Sequence, residues 1–394
     1  MKSYKLASTT WNRQEVLTAS KLLETGNLTM GKKVREFEIS FSEFIGSKYA
    51  VMFNSGSSAN LGIFAALKYS NSFKINEGDN VIVPAVSWST TYYPINQMGY
   101  ILNFVDINPN TLNLDVEEVE KRIDSKTRAI FAVNLLGNPS NLIELKKLAN
   151  KYNLFLLEDN CESLGAEINQ KKTGSFGLMG SHSFFFSHHI CTMEGGMVTT
   201  NSRHLMETLV SIRAHGWTRE LKTKNTIYPK LKNDWEDLYR FVLPGYNLRP
   251  LEISGAIGSI QLKKLPKFIE MRRKNAKCFI DLFKNSENYR IQKENGKSSW
   301  FGFAIILQNN LVGKRTQIIK FLTKHKIETR PIVSGNFTLN PVMSHLKFKK
   351  LPNMENSNTI HHEGFFVGNH HYDTRKQIKM FYDLLTQFER ENLK

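Results

Sequence analysis

Short runs of consecutive apolar residues alternate with amphipathic stretches over the first part of the chain. This is the order of a largely parallel α/β sheet. The runs Lys48–Phe53 (KYAVMF), Asn80–Val86 (NVIVPAV), Ile101–Ile107, Ala129–Asn134 and Leu154–Asp159 (LFLLED) read as strands, the last a buried run ending in carboxylates. Between the first two, the spacing predicts a helix beginning near Ser57, with Leu61, Phe64, Ala65 and Leu67 on its apolar side. A second helix is predicted over Asn141–Tyr152, and strands Ser181–Phe186 and Met197–Thr200 complete the sheet. The aromatic run in SHSFFFSHH reads as buried. Past residue 250 the pattern becomes helical and charge-rich, as in Leu262–Cys278, with short strands such as Trp300–Leu307. We therefore expect a large α/β domain over 1–250 and a smaller α+β domain over 251–394, with the first ~20 residues as a segment that can pack on the smaller one.

Composition narrows the class. At 394 residues and 41% hydrophobic content the chain reads as an ordinary globular protein. No apolar run approaches the ~20 residues that span a bilayer, and the start MKSYKLASTTW lacks an apolar leader, so a cytoplasmic location and no membrane partner are expected. Cys161, Cys191 and Cys278 have no paired spacing, which disfavours a disulfide framework or a four-thiolate cluster. The net charge of +17 is spread along the chain without a basic tail or zinc-finger spacing. It points to solvated surface plus a few arginines for an anionic ligand, and not to nucleic acid.

Three stretches carry candidate chemistry. In NSGSSAN (Asn54–Asn60) a strand turns through glycine into a helix headed by Ser57 and Ser58; this is either a phosphate cradle or an ordinary serine cap. In LEDNCESLGAE, Asp159 ends a strand, where ligands collect in open α/β sheets; it reads either as the partner of a buried cation or as a helix cap. In SHSFFFSHHICTMEGG, Ser183 could add a hydroxyl to the first site, and His188 and His189 stand side by side. They could be a metal pair, a surface accident or a proton-transfer site. A metal pair is disfavoured, because adjacent residues on an extended chain point to opposite faces and no further ligand is evident.

Taken in order, the serine-headed helix, Trp88 after the next strand, the acidic pair at 158–159, the SF run with EGG, AHGW and GYNLR resemble the pyridoxal-phosphate sugar aminotransferases of the DegT/DnrJ/EryC1/StrS type. The resemblance spans about Asn27 to Arg330. It implies the aspartate aminotransferase-like fold type I, with a large seven-stranded, mostly parallel sheet domain and a small C-terminal α+β domain. It also implies a homodimer whose active sites are shared. By resemblance, Asp159 pairs with the cofactor's ring nitrogen, Ser57, Ser58 and Ser183 hold its phosphate, and Trp88 stacks on its ring. Asn247 reaches the phosphate bound by the partner subunit. His215, Arg219 and Arg330 fall in substrate segments.

Two departures matter. Where these aminotransferases carry the lysine that covalently holds the cofactor, this chain has His188, which cannot form that bond but can move protons near neutral pH. Glu162 replaces a common glutamine near the cofactor ring. The histidine resembles the small nucleotide-sugar 3-dehydratase branch. That branch implies a pyridoxal/pyridoxamine phosphate lyase, with L-glutamate as amino donor. It would remove the C3 hydroxyl of a GDP-linked 4-keto-6-deoxy sugar, for surface polysaccharide synthesis. His188 is then the catalytic residue and His189 a structural bystander. The same chemistry on a GDP-linked heptose, an aminotransferase-like protein and a non-catalytic cofactor-fold regulator are the alternatives. The iron–sulfur version of this chemistry is excluded by the cysteine count.

Overall fold

A computed structural model describes residues 3–392. The strands of the large sheet are β1 (Tyr49–Phe53), β2 (Asn80–Pro84), β3 (Ile101–Val105), β4 (Thr127–Val133) and β5 (Phe155–Asp159). After a small hairpin of β6 (Glu167–Ile168) and β7 (Lys171–Lys172) come β8 (Met179–Ser183) and β9 (Gly196–Thr200). The seven strands lie in the order β1-β9-β8-β5-β4-β2-β3. Only β9 opposes the others, bonded antiparallel to β1 on one side and β8 on the other. The remaining pairs are parallel, so six strands end at the same edge.

The apolar runs are continuous because both sheet faces are covered. Val81, Val83, Phe131 and Leu157 pack with Phe64 and Leu67 of the helix Gly56–Tyr69. Their neighbours Ile82, Ile130, Ala132 and Leu156 face the other way, onto Leu142, Leu145 and Ala149 of the helix Leu142–Lys151. This is the period-two alternation of a strand, with apolar residues at both phases.

The aromatic run after β8 differs from expectation. The ladder to β9 ends at Ser183, opposite Gly196, and the chain then leaves the sheet. Phe184 is buried against Phe37 and Phe41, but Phe185 and Phe186 are each 45% exposed. His188 lies in the turn beyond, its N–H donating to the Phe185 carbonyl at 2.9 Å.

Two helices precede β1. Arg13–Glu24 starts with a reciprocal capping box between Asn12 and Glu15. Lys32–Ile45 begins at Gly31, which has no side chain to cap with. The cap comes from Glu252 instead, whose carboxylate accepts the N–H groups of Gly31 and Lys33 at 2.6 Å and of Val34 at 3.2 Å.

The small sheet runs β10 (Tyr289–Ile291), β11 (Gly302–Leu307), β13 (Gly364–Gly368), β12 (Thr329–Arg330) in spatial order, all antiparallel. Its core joins Phe303 and Ile305 to Leu322, Phe381 and Leu385 from the helices Arg315–Lys324 and Arg375–Asn392. Tyr4 belongs to that core, and its hydroxyl donates to the Gly368 carbonyl at 2.6 Å. The 32-residue helix Glu252–Phe283 serves both cores. Leu262, Leu265 and Ile269 pack on Val34, Phe37 and Phe41, whereas Ala276, Phe279 and Phe283 enter the small-sheet core.

Candidate active site

The shared edge of parallel strand ends opens into a cavity of about 530 Å³. The turn after β1 contributes Ser55, Gly56, Ser57 and Asn60; the turn after β2 gives Ser87, Trp88 and Thr90. Asp159, Cys161 and Glu162 follow β5, and Ser183, Phe185, Ser187, His188 and Glu194 come from the β8–β9 connection. The small sheet and the turns flanking it close the far wall with Phe301, Arg330, Pro331, Val333 and Phe366. No lysine lines it.

At the head of helix Gly56–Tyr69, the extended Ser55 caps with its hydroxyl, which accepts the Ser58 N–H at 3.0 Å. Ser57 faces the cavity and donates to the Thr90 hydroxyl at 2.9 Å. Ser58 does not line the cavity; its hydroxyl accepts from Ser55 at 3.0 Å. The helix approaches β8 so closely that a Cβ on Gly56 would lie 2.6 Å from the Ser183 Cβ. Glycine is therefore required for Ser183 and the helix terminus to face one space. That combination of free N–H groups, dipole and hydroxyls suits a phosphate.

Asp159 is 5% exposed. One carboxylate oxygen accepts from Asn60 at 2.9 Å and Thr91 at 2.8 Å, the other from the Cys161 N–H at 3.2 Å. Neutral donors thus fix its direction while leaving its charge uncompensated toward the cavity. Glu162 accepts the Leu136 N–H at 2.9 Å. Burial, with the Asp159 carboxylate adding to it, pushes its acid up to about 7, so Glu162 can hold a proton at neutral pH.

His188 is half-buried, with its ring edge-on to Phe301 at 5.4 Å and 80° and to Phe185 at 6.0 Å. Its Nδ1 is buried and lacks a hydrogen-bond partner. Burial lowers its pKa to about 4, against the opposing pull of the Ser183 backbone and the Asp159 carboxylate. The ring is neutral at pH 7, a base and not an imidazolium, and further from its ordinary value than the sequence suggests. His189 points away: it is 1% exposed, with Nε2 3.1 Å from the Ser299 carbonyl.

Trp88, 57% exposed, stands at the cavity edge where the helix Ser89–Gln97 begins, and Arg330 lies opposite. Besides Ser58, three of the expected residues fall outside the cavity. Asn247 is on a separate segment, its side-chain oxygen accepting from Arg249 at 3.1 Å. His215 packs against Trp217 with centroids 4.8 Å apart, and Arg219 lines a second cleft of about 270 Å³ with Arg213, Trp217 and Arg249. Among the described residues, no group of three or more His, Cys, Asp or Glu gathers as a metal site.

Sequence reasoning missed Asn60, Thr90 and Thr91, which lock Asp159 and Ser57 in place. Their only signal was position: Asn60 lies one turn beyond Ser57, and the threonine pair follows Trp88. It also missed Phe301, Val333 and Phe366, which come from the small sheet and the turns flanking it and carry no local signal.

The DegT/DnrJ/EryC1/StrS aminotransferase family pattern matches residues 10–384. The chain is 49% identical over 387 residues to the GDP-4-keto-6-deoxy-D-mannose 3-dehydratase of Yersinia pseudotuberculosis, covering 98% of each. The structure of the Escherichia coli GDP-4-keto-6-deoxy-D-mannose-3-dehydratase with bound hydrated PLP is similar with a TM-score of 0.95 and 47% identity, over 98% of this chain and 100% of that one. A GDP-4-keto-6-deoxymannose-3-dehydratase with a trapped PLP–glutamate geminal diamine gives 0.94 and 47%, over 97% and 100%. With a sheet order, a strand-end cavity and a whole-length likeness in agreement, the chain belongs to the DegT/DnrJ/EryC1/StrS aminotransferase family.

Proposed function

We propose that this protein is a GDP-4-keto-6-deoxy-sugar 3-dehydratase, working with pyridoxal/pyridoxamine phosphate and L-glutamate. The carrying observation is His188 in a cavity that has the strand-end carboxylate and the helix-terminal serines but no lysine. The residues fit the cofactor: Asp159 presents a buried, uncompensated carboxylate to a ring nitrogen, and Ser57, Thr90 and Ser183 surround a helix N-terminus suited to its phosphate. When bound, the cofactor supplies an amine for the sugar's 4-keto carbon and a ring that withdraws electrons.

The protein's part is positioning and proton movement. Asp159, braced by Asn60 and Thr91, keeps the ring nitrogen protonated. Trp88 covers the ring face. The neutral imidazole of His188 takes the proton from the carbon bearing the amine and delivers it to the oxygen leaving C3, which departs as water. Phe301, Val333 and Phe366 keep bulk water from that proton path. Over a full cycle the sugar loses one oxygen, and one glutamate becomes 2-oxoglutarate plus ammonia. The product is a GDP-4-keto-3,6-dideoxy sugar for surface polysaccharide synthesis.

We also infer a homodimer in which Asn247, His215 and Arg219 serve the partner's cavity. Their distance from their own cavity and the exposed Phe185 and Phe186 beside it support this reading. A cytoplasmic location is likewise proposed; among the described residues no helix is long and apolar enough to cross a membrane. The test is a panel of GDP- and CDP-linked 4-keto-6-deoxy hexoses and heptoses with glutamate, followed by mass spectrometry. Loss of one oxygen from a GDP-linked hexose, matched by 2-oxoglutarate, is expected. No turnover of any GDP-linked sugar would overturn the assignment.

A further inference from the structure

A proton-transferring imidazole is ordinarily oriented by a hydrogen bond to its second nitrogen. In His188 the Ser183 backbone is the polar neighbour that pulls on the ring, and Nδ1 is buried without a hydrogen-bond partner. Its orientation therefore rests on ring packing, chiefly the edge-on Phe301 at 5.4 Å. What holds Phe301 is the turn Ser298–Phe301 ahead of β11, in which Trp300 sits at φ +50°. That turn is gripped from behind by Arg272 of the long helix. Its Nη1 donates to the carbonyls of Phe301 at 3.1 Å and Asn369 at 2.7 Å, and more weakly to that of Trp300 at 3.4 Å. Asn369 closes the arrangement, its amide donating to the Trp300 carbonyl at 2.9 Å and to the Arg272 carbonyl at 3.1 Å.

Arg272 is 4% exposed, and its hydrogen-bond acceptors are main-chain carbonyls. Burying a guanidinium among carbonyls alone is unfavourable unless its charge or its geometry is used. Both uses lie next door. The Nη1 group fixes the turn that carries Phe301, and the charge opposes a second positive charge on the adjoining imidazoles.

We propose that Arg272 is the positioning residue for His188: it stands in for the hydrogen bond missing at Nδ1 by clamping the turn that holds Phe301 against the ring. The inference rests on the function proposed above. The other ionisable groups around His188 are Asp159 and Glu162 after β5, Glu194 on its own loop, Arg330 from β12, and His189 beside it. The Asp159 carboxylate favours the protonated ring, so Arg272 acts against it.

The test follows the His188 ring directly by NMR of ¹³C-labelled histidine, assigned with His188→Asn, in wild type, Arg272→Gln and Arg272→Lys. In Arg272→Gln the His188 titration midpoint should rise as one positive neighbour is removed, and kcat for dehydration should fall about tenfold or more with KM little changed. Arg272→Lys should keep the wild-type midpoint, since the charge remains, but lose part of kcat, because the lysine nitrogen falls one bond short of the Nη1 position and sits on a flexible stem. If Arg272→Gln does not fold, Arg272→Lys and Phe301→Leu decide it: both should keep the midpoint low while lowering kcat. A midpoint unmoved in a folded Arg272→Gln, or wild-type kcat in Arg272→Lys and Phe301→Leu, would overturn the proposal. The titration needs no sugar substrate, so an inactive wild type would instead indict the dehydratase reading.

Discussion

At the scale of single residues, the site divides by charge state. In the proposed reaction His188 moves the proton, so His188→Asn should lower dehydration by about 10²–10⁴-fold while the visible spectrum of bound cofactor survives. His188→Lys should restore a covalent link trappable by borohydride and lose dehydration; a trapped adduct in the wild type would contradict the site as drawn. Glu162 behaves oppositely to an ordinary carboxylate. Burial raises it from the usual carboxylate range to about 7, so the folded state holds a proton that the unfolded chain has released. The stability this supplies is present below about pH 4.5 and is lost as pH rises through 7. Glu162→Gln should therefore gain in melting temperature relative to wild type between pH 5 and pH 8, by ~2 °C or more. Asp159, Ser183 and His188 were legible because each ends or follows an apolar run at the ligand-collecting edge. Asn60, Thr90 and Thr91 were not, since a polar residue inside a helix says nothing of the carboxylate it will meet from 68 or 99 residues away.

Elements set the precision of that edge. The helix Gly56–Tyr69 enters the sheet beside β8 at a distance only glycine permits. Gly56→Ala should push the helix terminus away from Ser183 and weaken cofactor affinity at least tenfold, with the far-UV spectrum retained; equilibrium dialysis would measure it. The pattern announced the parallel strands because both sheet faces are apolar. It misplaced the end of β8, because FFF continues the apolar run past the point where the ladder to β9 stops at Ser183. What turns Phe185 and Phe186 outward is the loss of a pairing partner, a long-range fact with no local mark. The N-terminal helices were equally quiet. The Asn12–Glu15 capping box is a readable signal, but Lys32–Ile45 is capped by a glutamate 221 positions from Gly31.

Across the whole molecule, buried neutral histidines make folding sensitive to acid. His182 is pushed down to about 3, and His188, His370 and His371 to about 4, each mainly by burial. In the unfolded chain each would accept a proton near pH 6.5. Their shared contribution is full above that value and is lost as pH falls toward 4. The apoprotein's melting temperature should accordingly drop steeply between pH 6.5 and 4, and His182→Asn should make the drop shallower. One feature of the cavity reaches beyond catalysis. Among the described residues no lysine lines it, so none of them anchors the vitamin-derived cofactor covalently and non-covalent contacts alone hold it. Occupancy then follows free concentration by mass action. Enzyme diluted into cofactor-free buffer should lose activity over time and recover when pyridoxal phosphate is restored.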